Sequence, residues 1–165
     1  MEIERKFLIY HLPENIEDYP HHELAQGYIS TSPVIRIRKQ DDSYILTVKS
    51  GGLIKREEFE LNLSKEQFLS LSQKVDGTVI EKTRYLIPCP DYDELTIELD
   101  VFHGAFSGLI YAEVEFPNEE SCQKFNPPAF FSREVTNIAI YQNSSLSRMS
   151  KEEITSFMNS YRLKF

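Results

Sequence analysis

The stretch Glu2-Ile3-Glu4-Arg5-Lys6, EIERK, decides how this chain is read. Glu2, Glu4 and Lys6 occupy alternate positions, with Ile3 and Arg5 between them. Such spacing suits a strand, because side chains two apart share a face. The two glutamates would then stand about 7 Å apart and repel by about 2 kcal/mol at an effective dielectric near 20. A segment carrying that repulsion either lies on an exposed edge or faces something that offsets it.

Moving outward, the pattern recurs. Arg36-Ile37-Arg38, Lys82-Thr83-Arg84, Glu98-Leu99-Asp100 and Glu113-Val114-Glu115 repeat it; Arg56, Glu58 and Glu60 alternate around Glu57 and Phe59. Lys49 follows Thr47 on one face of a further segment. One doublet alone reads as the wet face of an antiparallel sheet. The set reads differently, because solvent faces normally mix Ser, Thr, Gln and Lys. If the sheet closes, the charged faces meet in a lumen, and the apolar faces pack outward under helices.

Strands are predicted over Glu2–Tyr10, Glu23–Ser30, Val34–Gln40, Ser43–Ser50, Ile54–Leu63, Val79–Pro88, Leu95–Phe102 and Leu109–Pro117. Asp41-Asp42, Gly51-Gly52 and Pro88-Cys89-Pro90-Asp91 punctuate them as turns. Eight strands with short links form a meander, open or closed. Ser64 with Gln67 is a capping-box signal ahead of Phe68, Leu71 and Val75. Asn118 opens a short helix at Glu119-Glu120. Ser150 with Glu153 opens another, whose Ile154, Phe157, Met158 and Tyr161 form an apolar stripe expected to pack on the outside of the sheet.

The 165 residues suit one domain, 1–165, with a real core; 41% are apolar, including 11 Phe and 9 Tyr. No apolar run approaches a membrane span, and the charged start lacks a secretory leader, so no membrane partner and a cytoplasmic location are expected. Cys89 and Cys122 sit apart from any Cys/His cluster and read as reduced thiols rather than zinc ligands. A net charge of −8 argues against a general nucleic-acid binder, while leaving room for a local basic cluster. His21-His22 follows Pro20 and reads as a loop, since strand neighbours point apart. The sequence leaves open whether the chain pairs as a homodimer.

A lumen lined with both signs has a chemical use. Arg gives forked bonds to phosphate oxygens and Lys a point charge. Paired carboxylates hold hard cations such as Mg²⁺ or Mn²⁺. A polyphosphate with its metal accounts for both signs together.

These residues resemble the triphosphate tunnel metalloenzymes, the CYTH superfamily, whose opening signature is ExExK. The resemblance runs on through QGYIS, VIRIRK, YILTVKSG, KREEFEL, KTRYLI, IELDVFHGAFSGLIYAEVEF and REVTN, in the family's order over about residues 1–147. It implies a mainly β, α+β fold: an eight-stranded closed antiparallel β-barrel, or tunnel, with helices outside. It implies metal-dependent chemistry on a small-molecule triphosphate. By the same resemblance Glu2, Glu4, Glu60, Asp100, Glu113 and Glu115 hold metal, with Glu58 and Glu98 at further acidic positions. Lys6, Arg36, Arg38, Lys49, Arg56, Lys82, Arg84 and Arg133 hold the phosphate chain, Arg133 near the mouth. Lys6, Tyr28 and Lys82 take catalytic roles, Tyr28 being linked to water activation or to plugging the tunnel. Small bacterial-type members resemble inorganic triphosphatases, which split tripolyphosphate into pyrophosphate and phosphate. A thiamine or nucleoside triphosphatase, a class IV adenylate cyclase and a non-catalytic polyphosphate- or nucleotide-binding module remain alternatives. After REVT, relatives resemble D-x-R-Y-x-N-x-x-L, whereas this chain reads NIAIYQNSSLS, with Asn137 and Ala139 in place of the acidic and basic residues.

Overall fold

Residues 1–162 are described by a computed structural model of the chain. Its strands are β1 (Glu2–Ile9), β2 (His21–Thr31), β3 (Val34–Gln40), β4 (Ser43–Lys49), β5 (Lys55–Arg56), β6 (Glu58–Leu63), β7 (Asp76–Pro88), β8 (Thr96–Phe102), β9 (Ile110–Glu115) and β10 (Phe131–Glu134). The helices are α1 (Lys65–Ser72), α2 (Glu119–Lys124), α3 (Asn143–Ser147) and α4 (Lys151–Arg162). All strand pairs are antiparallel, in the order β10-β1-β9-β8-β7-β2-β3-β4-β6.

The ring closes through β5 and β6, which the sequence reads as one strand. β5 pairs with β1 through Glu2↔Arg56 and Ile3↔Lys55, while β6 pairs with β4 from Lys49↔Glu58 to Tyr44↔Leu63. The break falls at Glu57, whose amide donates to Ser50 Oγ at 2.8 Å and whose carbonyl accepts from the Ser50 amide at 2.9 Å. With β5 and β6 counted as one broken strand, eight strands make the wall. β10 is an addition, paired with the second half of β1 through Phe7↔Glu134 and Ile9↔Phe131.

Alternation then sorts the side chains into two environments. Ile3, Phe7 and Ile9 of β1 join Ile87, Ile97, Leu99, Ala112, Val114, Phe116, Cys122, Phe125 and Phe131 in one buried cluster outside the wall, partly under α2. Arg5 shares that outer side. Its guanidinium lies over Phe7 and Phe125 and grips Glu134 with two bonds of 2.7 and 3.0 Å, a structural fork rather than a site residue. Burying the apolar side chains stabilises each by roughly 1.5–3 kcal/mol, which is what fixes the register and turns the charged set inward.

On the inward face the character changes along the barrel. Leu8, Ile80, Phe102 and Tyr111 join Phe106, Val135, Tyr141, Leu146, Phe157, Met158 and Tyr161 in a second buried cluster. The stripe on α4 joins this cluster and covers one end of the barrel, packed outside the wall as the sequence predicts. α3 is seated there through Gly77, whose positive φ of 81° and missing Cβ leave room for the Ser147 carbonyl.

The capping signals behave as read. Ser64 and Gln67 exchange reciprocal bonds of 3.1 and 2.9 Å at α1. Asn118 accepts from the Ser121 amide at 2.8 Å, and Ser150 from the Glu153 amide at 3.1 Å. His21 and His22 lie in β2 rather than in a loop, and His22 Nδ1 is 2.7 Å from Asp41. Both cysteines are buried free thiols, and no described helix is long and apolar enough to cross a membrane.

Candidate active site

Register brings the doublets face to face. Lys6 lies opposite Glu113, Glu4 opposite Glu115, Arg84 opposite Asp100, Glu98 opposite Glu113, and Tyr28 opposite Arg36. Together they enclose a cavity of about 200 Å³. Its basic side chains are Lys6, Arg36, Arg38, Lys49, Arg56, Lys82 and Arg84; its acidic ones are Glu2, Glu4, Glu58, Glu60, Glu98, Glu113 and Glu115. Tyr28 and Val34 also line it, with Gln142, Asn143 and Ser144 at the end closed by α3.

Ion pairs cross the lumen unevenly. Lys49 Nζ lies 3.0 and 2.9 Å from the two oxygens of Glu2, and Arg56 lies 3.2 Å from Glu4. Arg84 grips Asp100 at 2.7 and 2.9 Å, touches Glu98, and reaches Glu113 at 3.5 Å. Lys82 bonds Asp100 at 2.7 Å, both side chains being 0% exposed. Arg36 and Arg38 have no carboxylate partner among the described residues. Arg36 bonds Thr47 Oγ1 at 3.2 Å, and Arg38 Nε donates to Gln26 Oε1 at 2.9 Å. The Arg36 Nε is buried without a hydrogen-bond acceptor. A buried, unsatisfied guanidinium donor is costly and suits an incoming anion.

The titration of these groups follows from their surroundings. Burial, then the Glu113 carboxylate, pushes Glu4 well above the ordinary range. Burial also works against ionised Glu113, but Lys6, Arg84 and Lys82 hold it well below that range. Burial raises Glu58 to about 7; Lys49 opposes the shift, while Glu2 and Glu60 add to it. Burial and the like charges of Arg36 and Arg84 lower Arg38 to about 9. Burial lowers Lys82 to about 7, although Asp100 pulls the other way. Burial also raises the Tyr28 phenol, so its hydroxyl stays neutral near pH 7.

Among the described residues, no three acidic, histidine or cysteine side chains converge tightly enough to hold a metal ion. The donor set nonetheless fits a hard divalent cation. It offers carboxylate oxygens alone, and the Glu113 carboxylate works against ionisation of Glu4, a repulsion that a proton or a cation between them relieves.

Most residues singled out in the sequence therefore meet in one hollow. Two do not line it. Asp100 sits behind Lys82 and Arg84 with its oxygens engaged by them. Arg133 is exposed on β10, in a surface cleft with Ile138, Ile140 and Glu153. Gln26, Gln142, Asn143 and Ser144 escaped the sequence reading. Gln26 lies two residues before Tyr28 on the same face, so strand alternation could have found it. Asn143, the first residue of α3, lies far from the lysines in sequence, but the Y-x-N-x-x-L end of the family pattern, matched by Tyr141, Asn143 and Leu146, could have found it.

Fold and site define a class: an antiparallel β tunnel whose interior pairs a cationic cradle for a polyanion with carboxylates for a hard cation. The chain belongs to the CYTH domain family, whose model matches residues 1–145. It is 41% identical over 150 residues to an inorganic triphosphatase of Nitrosomonas europaea, covering 88% of this chain and 96% of that one. An inorganic triphosphatase of Acetivibrio thermocellus is 36% identical over 126 residues, covering 73% and 77%. Among solved structures, an inorganic triphosphatase 37% identical superposes with a TM-score of 0.68 over 91% of this chain and 96% of that one.

Proposed function

We propose that this chain is a divalent-metal-dependent inorganic triphosphatase that hydrolyses tripolyphosphate to pyrophosphate and orthophosphate. The observation that carries the reading is the lining: seven basic and seven acidic side chains, with Val34 the one aliphatic residue among them. Such walls suit phosphate and offer little apolar surface to an adenine or thiazole ring. Tripolyphosphate carries roughly four or five negative charges at neutral pH, counting 1.5–2 for a terminal phosphate, and seven cations match that load. The relatives' activity supports the same reading.

In this reading Arg36 and Arg38 take phosphate oxygens first, because no carboxylate competes for them. Lys49, Arg56, Lys6 and Arg84 exchange their glutamate partners for phosphate, which frees Glu2, Glu4 and Glu113 to hold Mg²⁺ or Mn²⁺ together with Glu115 and Glu60. When bound, that cation draws negative charge from the phosphate oxygens. Lys6 and Lys82 oppose the charge that builds on the bridging oxygen as the terminal P–O bond breaks. The neutral Tyr28 hydroxyl can hold the attacking water in line. Asp100 keeps Lys82 and Arg84 in place, and Arg133 contributes from outside the lumen at most. Two buried free thiols suit the cytoplasm.

The test is a panel of tripolyphosphate, ATP and thiamine triphosphate with Mg²⁺ or Mn²⁺, scored for phosphate, pyrophosphate and cyclic AMP. The expected result is one pyrophosphate and one phosphate per tripolyphosphate, with the organic substrates far slower. Cyclic AMP with pyrophosphate would make the chain a cyclase, and tight binding without product would make it a binding module.

A further inference from the structure

The turn ahead of α3 does more than close an end. The Tyr141 carbonyl accepts from Lys6 Nζ at 3.1 Å and from the Tyr111 hydroxyl at 3.0 Å. Two residues on, Asn143 Oδ1 accepts from Lys82 Nζ at 3.1 Å, and Asn143 Nδ2 donates to the same Tyr111 hydroxyl at 3.3 Å. One tyrosine hydroxyl thus joins the acceptors that hold two of the three tunnel lysines, Lys6 and Lys82. Neither acceptor carries a formal charge, so neither competes with phosphate for a lysine as a carboxylate would.

Lys82 shows what this does. In its charged form, which the contact with Asp100 favours, the Lys82 ammonium has three donors. Asp100 takes one at 2.7 Å and Asn143 a second at 3.1 Å. Two fixed acceptors stop the ammonium from rotating and leave its third N–H for the lumen, which Lys82 lines. With Asp100 alone, the ammonium could turn about its Cε–Nζ bond. Asn143 reaches this place because Gly77 lets the Ser147 carbonyl close on β7 and because Leu146 is fully buried.

The geometry points to Asn143 as a positioning residue that aims Lys82 at the reacting phosphate, coupled to Lys6 through Tyr111 and the Tyr141 carbonyl. The inference rests on the triphosphatase reading and adds to it a residue from the closing turn. A misplacement of about 1 Å in a catalytic group costs up to about 100-fold in rate. Ground-state binding depends on many other cations, so the loss should fall on kcat.

The experiment uses the whole chain with tripolyphosphate and Mn²⁺. Asn143→Ala should lower kcat about 10- to 100-fold, with KM within about threefold of the parent. Tripolyphosphate affinity, measured by calorimetry in EDTA, should likewise hold within threefold. Tyr111→Phe should lower kcat in the same direction, and the double variant should be no slower than Asn143→Ala, because both break one network. Asn143→Ala with parental kcat, or with a raised KM at unchanged kcat, would overturn the inference. Multiplying effects of the two substitutions would overturn the coupling through Tyr111. If the parent itself does not split tripolyphosphate, the triphosphatase reading has failed instead.

Discussion

Replacing Arg38 with alanine should move stability and activity in opposite directions. Arg38 is half-buried, has no carboxylate partner among the described residues, and faces the like charges of Arg36 and Arg84, which with burial bring its ionisation down to about 9. A base so lowered carries its charge at a disadvantage in the folded state at every pH below about 9. At 1.36 kcal/mol per pH unit the disadvantage is on the order of 2–5 kcal/mol. Its bond to Gln26 returns part of that, about 1 kcal/mol. The space left by Arg38→Ala opens into the lumen and fills with water rather than staying an empty void. The substrate-free variant should therefore be more stable by roughly 2 kcal/mol, raising Tm by about 4–8 °C in a chain of this size. Activity should fall because a forked, charge-assisted contact with phosphate is gone. Such contacts are worth roughly 2–4 kcal/mol, or about 30- to 1,000-fold in kcat/KM. Thermal melts with and without tripolyphosphate, beside initial rates, read both effects. Added tripolyphosphate should raise the Tm of the parent more than that of the variant. A variant that melts lower than the parent without ligand, or that keeps its kcat/KM, would show that Arg38 is neither a strained charge nor a phosphate contact.

Glu4→Gln should cut activity at low metal and recover part of it in excess Mn²⁺, because it removes one oxygen ligand and leaves the cationic cradle whole; rates across a metal titration check this. Glu4, raised above the ordinary range, keeps a proton that a divalent cation must displace, and Glu58, held at about 7, titrates beside the ligand Glu2. Divalent affinity should thus rise with pH through 7 and level off once both are ionised, with proton release seen by calorimetry in buffers of different ionisation enthalpy. Without metal the same two groups bind more protons folded than unfolded, so their contribution to stability should fall as pH climbs from about 4.5 to 7. Asp100→Asn leaves Lys82 and Arg84 buried without their shared anion, and should cost roughly 3–5 kcal/mol, read as the shift of a denaturant midpoint.

Much of this was legible because strand alternation is local. EIERK, VIRIR, KTR, ELD and EVE each state which side chains share a face, and the apolar residues between them state which face must be covered. The caps at Ser64, Asn118 and Ser150 are equally local, since each needs only residues three apart. What stayed hidden depends on distant closure. The break at Glu57 is set by Ser50 and by β1, whose pairing with Arg56 no window around residue 57 contains. Asp100 belongs to a doublet like the others, yet the pairing of β8 with β7 gives its oxygens to Lys82 and Arg84. Arg133 fits the pattern by position, but β10 extends β1 on the outside of the ring and carries it away from the lumen. Tyr141 and Asn143 match the Y-x-N-x-x-L end of the family pattern, but their contacts with Lys6 and Lys82 exist only once the chain returns over the end of the barrel.

In the proposed function both sets of charged doublets grip one metal-laden phosphate chain inside the ring. A crystal structure of the protein with tripolyphosphate and Mn²⁺, read with anomalous scattering, tests it most directly. Phosphorus density should run along Arg36, Arg38 and Lys49, with manganese on the glutamates of β1 and β9. Phosphate bound on the outer surface, with the lumen still bridged by its own ion pairs, would contradict it.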